Sequence, residues 1–155
     1  MVWSCLVSIL PGMAQTEKLT DYVNPFVGTD GYGNVYPGAQ IPFGGIQISP
    51  DTDSRFYDAA SGYKYNHLTL MGFSLTHLSG TGIPDLGDFL FIPGTGEMKL
   101  EPGTHEDPDQ GYRSRYSHDK EWASPNYYAV ELADYGVKAE MTSGVRSGMF
   151  RFTYP

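Results

Sequence analysis

Apolar and polar positions alternate most regularly toward the C-terminal end of the chain. Tyr128, Val130 and Leu132 fall on one side of an extended segment, with Glu131 on the other. Ala133-Asp134-Tyr135-Gly136 then supplies turn residues. Val137, Ala139 and Met141 form the next inward set, with Lys138, Glu140 and Thr142 outward. Side chains of an extended chain point to opposite faces in turn, so this pattern predicts an antiparallel hairpin with one buried face. Phe150, Phe152 and Tyr154 alternate with Arg151 and Thr153, which predicts a further strand over 149–154. Upstream, Ile46 and Ile48 alternate with Gln47 and Ser49 in a short run expected to end at Pro50. Phe89-Leu90-Phe91-Ile92 is a continuous apolar run stopped by Pro93-Gly94, the pattern of a fully buried strand. A helical period is hard to find, and no internal repeat or linker is evident, so one domain is expected from about residue 20 onward. The stretches 28–45 and 97–110 read as long loops, which in compact domains are usually functional or mobile.

Composition agrees with the strand pattern. The 155 residues include 19 Gly, 11 Pro, 12 Tyr and 8 Phe. Glycine and proline punctuate short elements, and aromatics suit pleated, half-buried surfaces. The expected class is all-β. A net charge of −8 argues against a nucleic-acid partner, which needs a basic footprint. The first fourteen residues are apolar and uncharged, and far too short to span a bilayer. Gly12-Met13-Ala14 places small residues where a signal peptidase would cut before Gln15, so 1–14 reads as a signal-peptide remnant and 15–155 as the domain. The basic start of such a peptide is missing, and an incidental apolar start is the alternative. Lipidation at Cys5 fits less well, because Trp3 sits poorly just before Ser4-Cys5. An exported protein follows, whether periplasmic, cell-surface or secreted, with no transmembrane segment.

The chemistry-bearing candidate is the stretch from Gly72 to Asp88. Gly72, Gly80, Gly82 and Gly87 alternate there with His77, hydroxyls at Ser74, Thr76, Ser79 and Thr81, and carboxylates at Asp85 and Asp88. Glycine supplies positive φ or lets another group approach the backbone closely. Such a stretch is either a tight connection between strands or a loop built to present polar groups.

Several short motifs occur in a fixed order: Asn24-Pro25-Phe26-Val27-Gly28-Thr29, Gly33-Asn34-Val35-Tyr36-Pro37-Gly38-Ala39, Pro42-Phe43-Gly44, Gln47-Ile48-Ser49-Pro50-Asp51-Thr52 and Ser61-Gly62-Tyr63-Lys64-Tyr65. The glycine-rich loop follows, then Ala123-Ser124-Pro125-Asn126-Tyr127-Tyr128, Val137-Lys138-Ala139-Glu140-Met141-Thr142 and Arg151-Phe152-Thr153-Tyr154-Pro155. Each is weak alone. In this order and spacing they resemble the N-terminal domain of glycoside hydrolase family 92, a family of calcium-dependent, inverting exo-α-mannosidases. The resemblance implies the front portion of an antiparallel β-sandwich, with the family's catalytic (α/α) barrel absent. It implies a mannose-containing glycan and the missing C-terminal catalytic domain as partners. Calcium would serve the full-length enzyme, bound mainly by that catalytic domain, with no cofactor in this chain. Alone, the chain is then expected to be inactive.

Site residues follow from the same reasoning. Inversion needs two carboxyl groups about 6.5–9.5 Å apart. Asp85 and Asp88 are the tempting pair, but the resemblance places acid and base in the helical domain, so no catalytic residue is expected here. Sugar binding needs an aromatic surface and polar groups beside it. Tyr57 and Asp58 offer both, and the resemblance puts Tyr57 where many family members carry a Trp lining the leaving-sugar subsite. Tyr57 could equally be a core or rim aromatic. His77, Ser79 and Thr81 lie, by resemblance, in the loop facing the sugar pocket; His77 could bond a hydroxyl or cap loop backbone. The family often has a second histidine where Leu75 stands. Asn34 is either a turn former or a contact at the pocket edge. No metal ligands are expected: His67, His77, His105 and His118 lack paired spacing, and Asp51-Thr52-Asp53 begins like a calcium loop but has Arg55 and Gly62 where oxygen ligands belong. Two alternatives remain at this level, a free-standing carbohydrate-binding module and a non-functional gene fragment.

Overall fold

A computed structural model describes residues 17–53, 57–85 and 87–155, without the side chain of Asp58. The expected signal segment 1–14, Cys5 within it, and Arg55 lie outside the described residues. Among the described residues eight strands follow one another, and helical structure is confined to one-turn 3₁₀ segments. The strands are β1 (Ser49–Asp51), β2 (Thr69–Leu70), β3 (Gly72–Ser74), β4 (Ser114–Arg115), β5 (Glu121–Ser124), β6 (Tyr127–Leu132), β7 (Val137–Ser143) and β8 (Gly148–Thr153). The last four form an antiparallel sheet in chain order, while β1 pairs with β3 and β2 with β4, also antiparallel.

The main sheet is built as its alternation demands. Tyr128, Val130 and Leu132 of β6 and Val137, Ala139 and Met141 of β7 are buried. Their register pairs Tyr128 with Met141, Val130 with Ala139 and Leu132 with Val137. Opposed positions carry side chains to the same face, so these pairs form one apolar surface. Ile48, Leu70 and Phe73 from the N-terminal half close over it, completing a two-layered core. Phe73 also meets Phe150 of β8, with ring centroids 6.2 Å apart.

A buried carboxylate ties the layers together. Glu121 of β5 accepts hydrogen bonds from the hydroxyls of Tyr63, at 2.9 Å, and of Tyr128, and lies 2.6 Å from His118 Nδ1. A buried carboxylate is costly unless donors surround it, and here three side chains do so. The fully buried Arg113 works similarly beside β4. It donates to the Thr52 carbonyl at 2.6 Å and to Thr69 Oγ1 at 3.2 Å, fixing the end of β1 against β2.

Two expectations fail locally. Pro50 does not end its strand but sits inside β1, opposite Phe73. β1 is paired on one side only, where a missing N–H is tolerated. The run Phe89–Ile92 is not a fully buried strand: Phe89, Leu90 and Phe91 are exposed, and Phe91 makes only an isolated bridge to Phe73. This segment lies against the outer edge of a three-residue strand, so most of its length has no neighbour to pair with.

Candidate functional site

The glycine-rich stretch starts as β3 and becomes a loop at Leu75. His77 anchors that loop from below. It is buried, and both ring nitrogens are engaged. Nδ1 lies 2.6 Å from the Gln47 carbonyl, which can only accept, so Nδ1 carries a proton. Nε2 lies 2.9 Å from Asp51 Oδ1 and 3.0 Å from Ser74 Oγ. The Ser74 hydroxyl donates to the other carboxylate oxygen, Oδ2, at 2.7 Å. Burial lowers the His77 pKa, but the Asp51 charge, its hydrogen bond and the Gln47 carbonyl together raise it above the ordinary value. The arrangement is a buried histidine–carboxylate pair whose surroundings favour the protonated ring. It is not a nucleophile relay, because Ser74 gives its proton to the carboxylate and shares the same imidazole nitrogen with it.

Gly62 allows the pair to form. Its φ is +87°, and a Cβ there would lie 2.3 Å from Asp51 Oδ1 and 3.0 Å from His77 Cδ2. A small cavity of about 100 Å³ opens beside the pair, lined among others by Ser61, Gly62, Met71, His77 and Asp85.

Above this foundation the loop is held on both flanks. Gly80 N–H donates to the Asn34 carbonyl at 2.7 Å, and Gly87 N–H to the Thr76 carbonyl at 3.0 Å. Asn34 takes the turn conformation, with φ +48°, and its buried side-chain oxygen has no hydrogen-bond partner among the described residues. Ser79 is exposed and Thr81 half-buried. Thr81 Oγ1 accepts from Ile83 N–H at 3.2 Å. Tyr57, on a one-turn 3₁₀ segment, is 67% exposed, yet its ring packs directly on Gly82. The structure therefore seats Tyr57 on Gly82, the residue after Thr81, sets Asn34 against the same loop through the Gly80 backbone, and buries His77 at the loop's base, while Ser79 lies exposed on the loop. The Asp58 side chain lies outside the described residues.

Asp85 and Asp88 are both exposed, and Asp88 accepts from Thr76 Oγ1 at 3.4 Å. Among the described residues no group of three or more His, Cys, Asp or Glu is placed to hold a metal ion. No helix among them is long and apolar enough to cross a membrane. A cavity of about 640 Å³ shares no residue with the loop; Tyr116, Lys120, Lys138 and Tyr154 line it. Its lysines are engaged, Lys120 with Glu131 and Lys138 with Glu140.

Sequence reasoning missed Asp51, Ser74 and Gln47 as partners of His77. One signal was available: a buried imidazole needs partners for both nitrogens, and both Gln47 and Asp51 stand in the Gln47–Thr52 motif.

Comparison with known proteins follows the same outline. The family model described as the glycosyl hydrolase family 92 N-terminal domain matches residues 22–155. An uncharacterized secreted glycosidase of Arthroderma benhamiae is 30% identical over 136 residues, covering 86% of this chain and 17% of that protein. The structure of a family GH92 glycosyl hydrolase, CcMan5, superposes with a TM-score of 0.72 at 34% identity, covering 88% of this chain and 19% of the other. A family GH92 inverting mannosidase from Bacteroides thetaiotaomicron gives a TM-score of 0.62 at 24% identity, over 90% of this chain and 19% of that one, a likeness of fold. The chain thus spans less than a fifth of the length of these relatives.

Proposed function

Since this chain belongs to glycosyl hydrolase family 92 and carries its N-terminal domain, we propose that it forms one wall of the mannose cleft of an exported, exo-acting, α-1,2-mannosidase-like enzyme. The observation that carries this reading is the placement of Tyr57. An exposed ring, seated on Gly82 next in sequence to Thr81, offers apolar area for the C–H face of a sugar, and Thr81 and the exposed Ser79 bring hydroxyls to the same loop. Asp58 follows it in sequence. The unpartnered oxygen of Asn34 is a further acceptor near the loop. His77 contributes from beneath by fixing the loop through Asp51 and Gln47. The carboxyl pair that inversion requires, and the calcium the family uses, would come from the rest of such an enzyme.

Titration with α-1,2-mannobiose, followed by NMR of the Tyr57 ring, tests the proposal. The expected response is saturable and weak, with Kd on the order of 1 mM, because a single wall of a cleft buries little of a sugar. Tyr57→Ala is expected to remove it. A response that survives this substitution would refute the platform. Release of mannose by this chain alone would refute the division of labour, and Asp85→Asn and Asp88→Asn would then locate the acid and base.

A further inference from the structure

Gly82 differs from its neighbour Gly80 in why it must be glycine. Gly80 has φ +74° and open space where a Cβ would stand. Gly82 has no such backbone demand, yet a Cβ there would fall 2.3 Å from Cζ and from the hydroxyl oxygen of Tyr57, and 2.5 Å from Cε2. Carbon atoms do not approach so closely, so the ring and a side chain at position 82 exclude each other. The excluded volume is all at the far end of an exposed side chain, the part of the structure that moves most cheaply.

We infer that Gly82 is the seat of the Tyr57 ring, a positioning residue that fixes the aromatic surface for sugar; this rests on the reading of Tyr57 as that surface. The seat itself is fixed. Gly80 N–H is held by the Asn34 carbonyl on one side, and Ile83 N–H by Thr81 Oγ1 on the other. A bare backbone beside a loop residue tied to Asn34, in a turn closed by Thr81, gives the ring a flat support. Without it, an exposed tyrosine samples several rotamers, and a ligand must immobilise the ring on binding. Filling the seat therefore weakens sugar binding without touching the sugar and without loosening the core.

The test uses this chain as native protein, Gly82→Ala, Tyr57→Ala and the double variant. Native protein is expected to show nuclear Overhauser contacts between the Tyr57 ring and the Gly82 Hα protons. Gly82→Ala should lose the corresponding contact while its melting temperature stays within about 2 °C of native, since no core contact is removed. Its affinity for α-1,2-mannobiose should fall about five- to tenfold, the order expected for re-immobilising one side chain. In the Tyr57→Ala background the Gly82→Ala change should add nothing. Absence of the ring contact in native protein overturns the inference whatever the variants do. So does native-like affinity in Gly82→Ala, with Tyr57→Ala still defective; that result leaves the platform standing. An equal loss in both backgrounds shows that Gly82 acts without Tyr57 and also overturns it. If neither variant changes binding, or native protein shows none, the platform reading falls first and this inference with it.

Discussion

At Gly62 the backbone and the packing make the same demand. Its φ of +87° disfavours any Cβ, and a Cβ would also strike Asp51 Oδ1 at 2.3 Å. Neither neighbour can yield, because Asp51 is held by both His77 and Ser74. Gly62→Ala should therefore cost at least ~2 kcal/mol, combining strain with displacement of a buried ion pair. Gly80→Ala, strained but uncrowded, should cost only ~1 kcal/mol. Urea denaturation of both variants checks the order, and equal costs would refute the role given to Asp51. The same residues show what the sequence hides. That His77 and Asp51 meet depends on β1 pairing with β3, which sets positions 51 and 72 opposite each other. Spacing along the chain carries no trace of it. Asn34 was legible as a turn former because its residue type and flanking Gly33 already favour φ > 0. Its orphaned oxygen was not, since satisfaction of a polar atom depends on tertiary neighbours.

Elements were legible where one face is buried over several residues. β6 and β7 keep a period of two through six and seven residues, and their turn residues fall between them, so the hairpin emerges from the pattern alone. β2 and β4 have two residues each, too few for any period. The run 89–92 misleads because apolar character records a tendency to be covered and not the presence of a cover. Here β3 offers one bridge at Phe91. This difference has a measurable consequence. Leu132→Ala, fully buried at the end of β6, should cost about 2–5 kcal/mol by leaving a cavity. Phe89→Ala, exposed beside an edge, should cost less than ~1 kcal/mol despite removing a larger side chain. Chemical denaturation distinguishes them, and a large loss at Phe89 would show that the segment is buried in solution.

Over the whole molecule, buried charge sets a pH optimum. His77 has a folded pKa raised above its ordinary 6.5, so its contribution is complete below that value and is lost as pH rises through the folded pKa. His105 behaves oppositely. Burial, then His67 and Arg113 nearby, lower it to about 4, so its contribution is present above 6.5 and is lost as pH falls toward 4. Glu140, held down to about 2 by Arg151 and Tyr127, adds a loss below its ordinary 4.5. Melting temperature should therefore peak near pH 6.5. His77→Gln should flatten the alkaline limb and His105→Gln the acid limb; a native limb that keeps its slope after its own histidine is replaced refutes that assignment.

The molecular surface carries a second consequence. Tyr57, Ile83 and Phe89 project near the glycine-rich loop, while Phe43, Val145 and Met149 are exposed near the start of β8. Phe43 does so from a left-handed backbone, φ +58°, at a turn whose neighbour Gly45 bonds to the Val145 carbonyl at 2.8 Å. Apolar groups gathered in this way favour association. The net charge of −8 opposes it by mutual repulsion between copies. Repulsion of that range is screened by salt, with a Debye length near 30 Å at about 0.01 M and about 8 Å at 0.15 M, whereas apolar burial is not weakened. Sedimentation equilibrium should accordingly show the average mass rising with both protein concentration and salt. Met149→Glu and Phe43→Ser should each reduce the effect, one by burying an added negative charge on an already acidic surface and one by removing the ring. A chain that stays monomeric throughout would mean that these side chains are too scattered to form a contiguous adhesive surface.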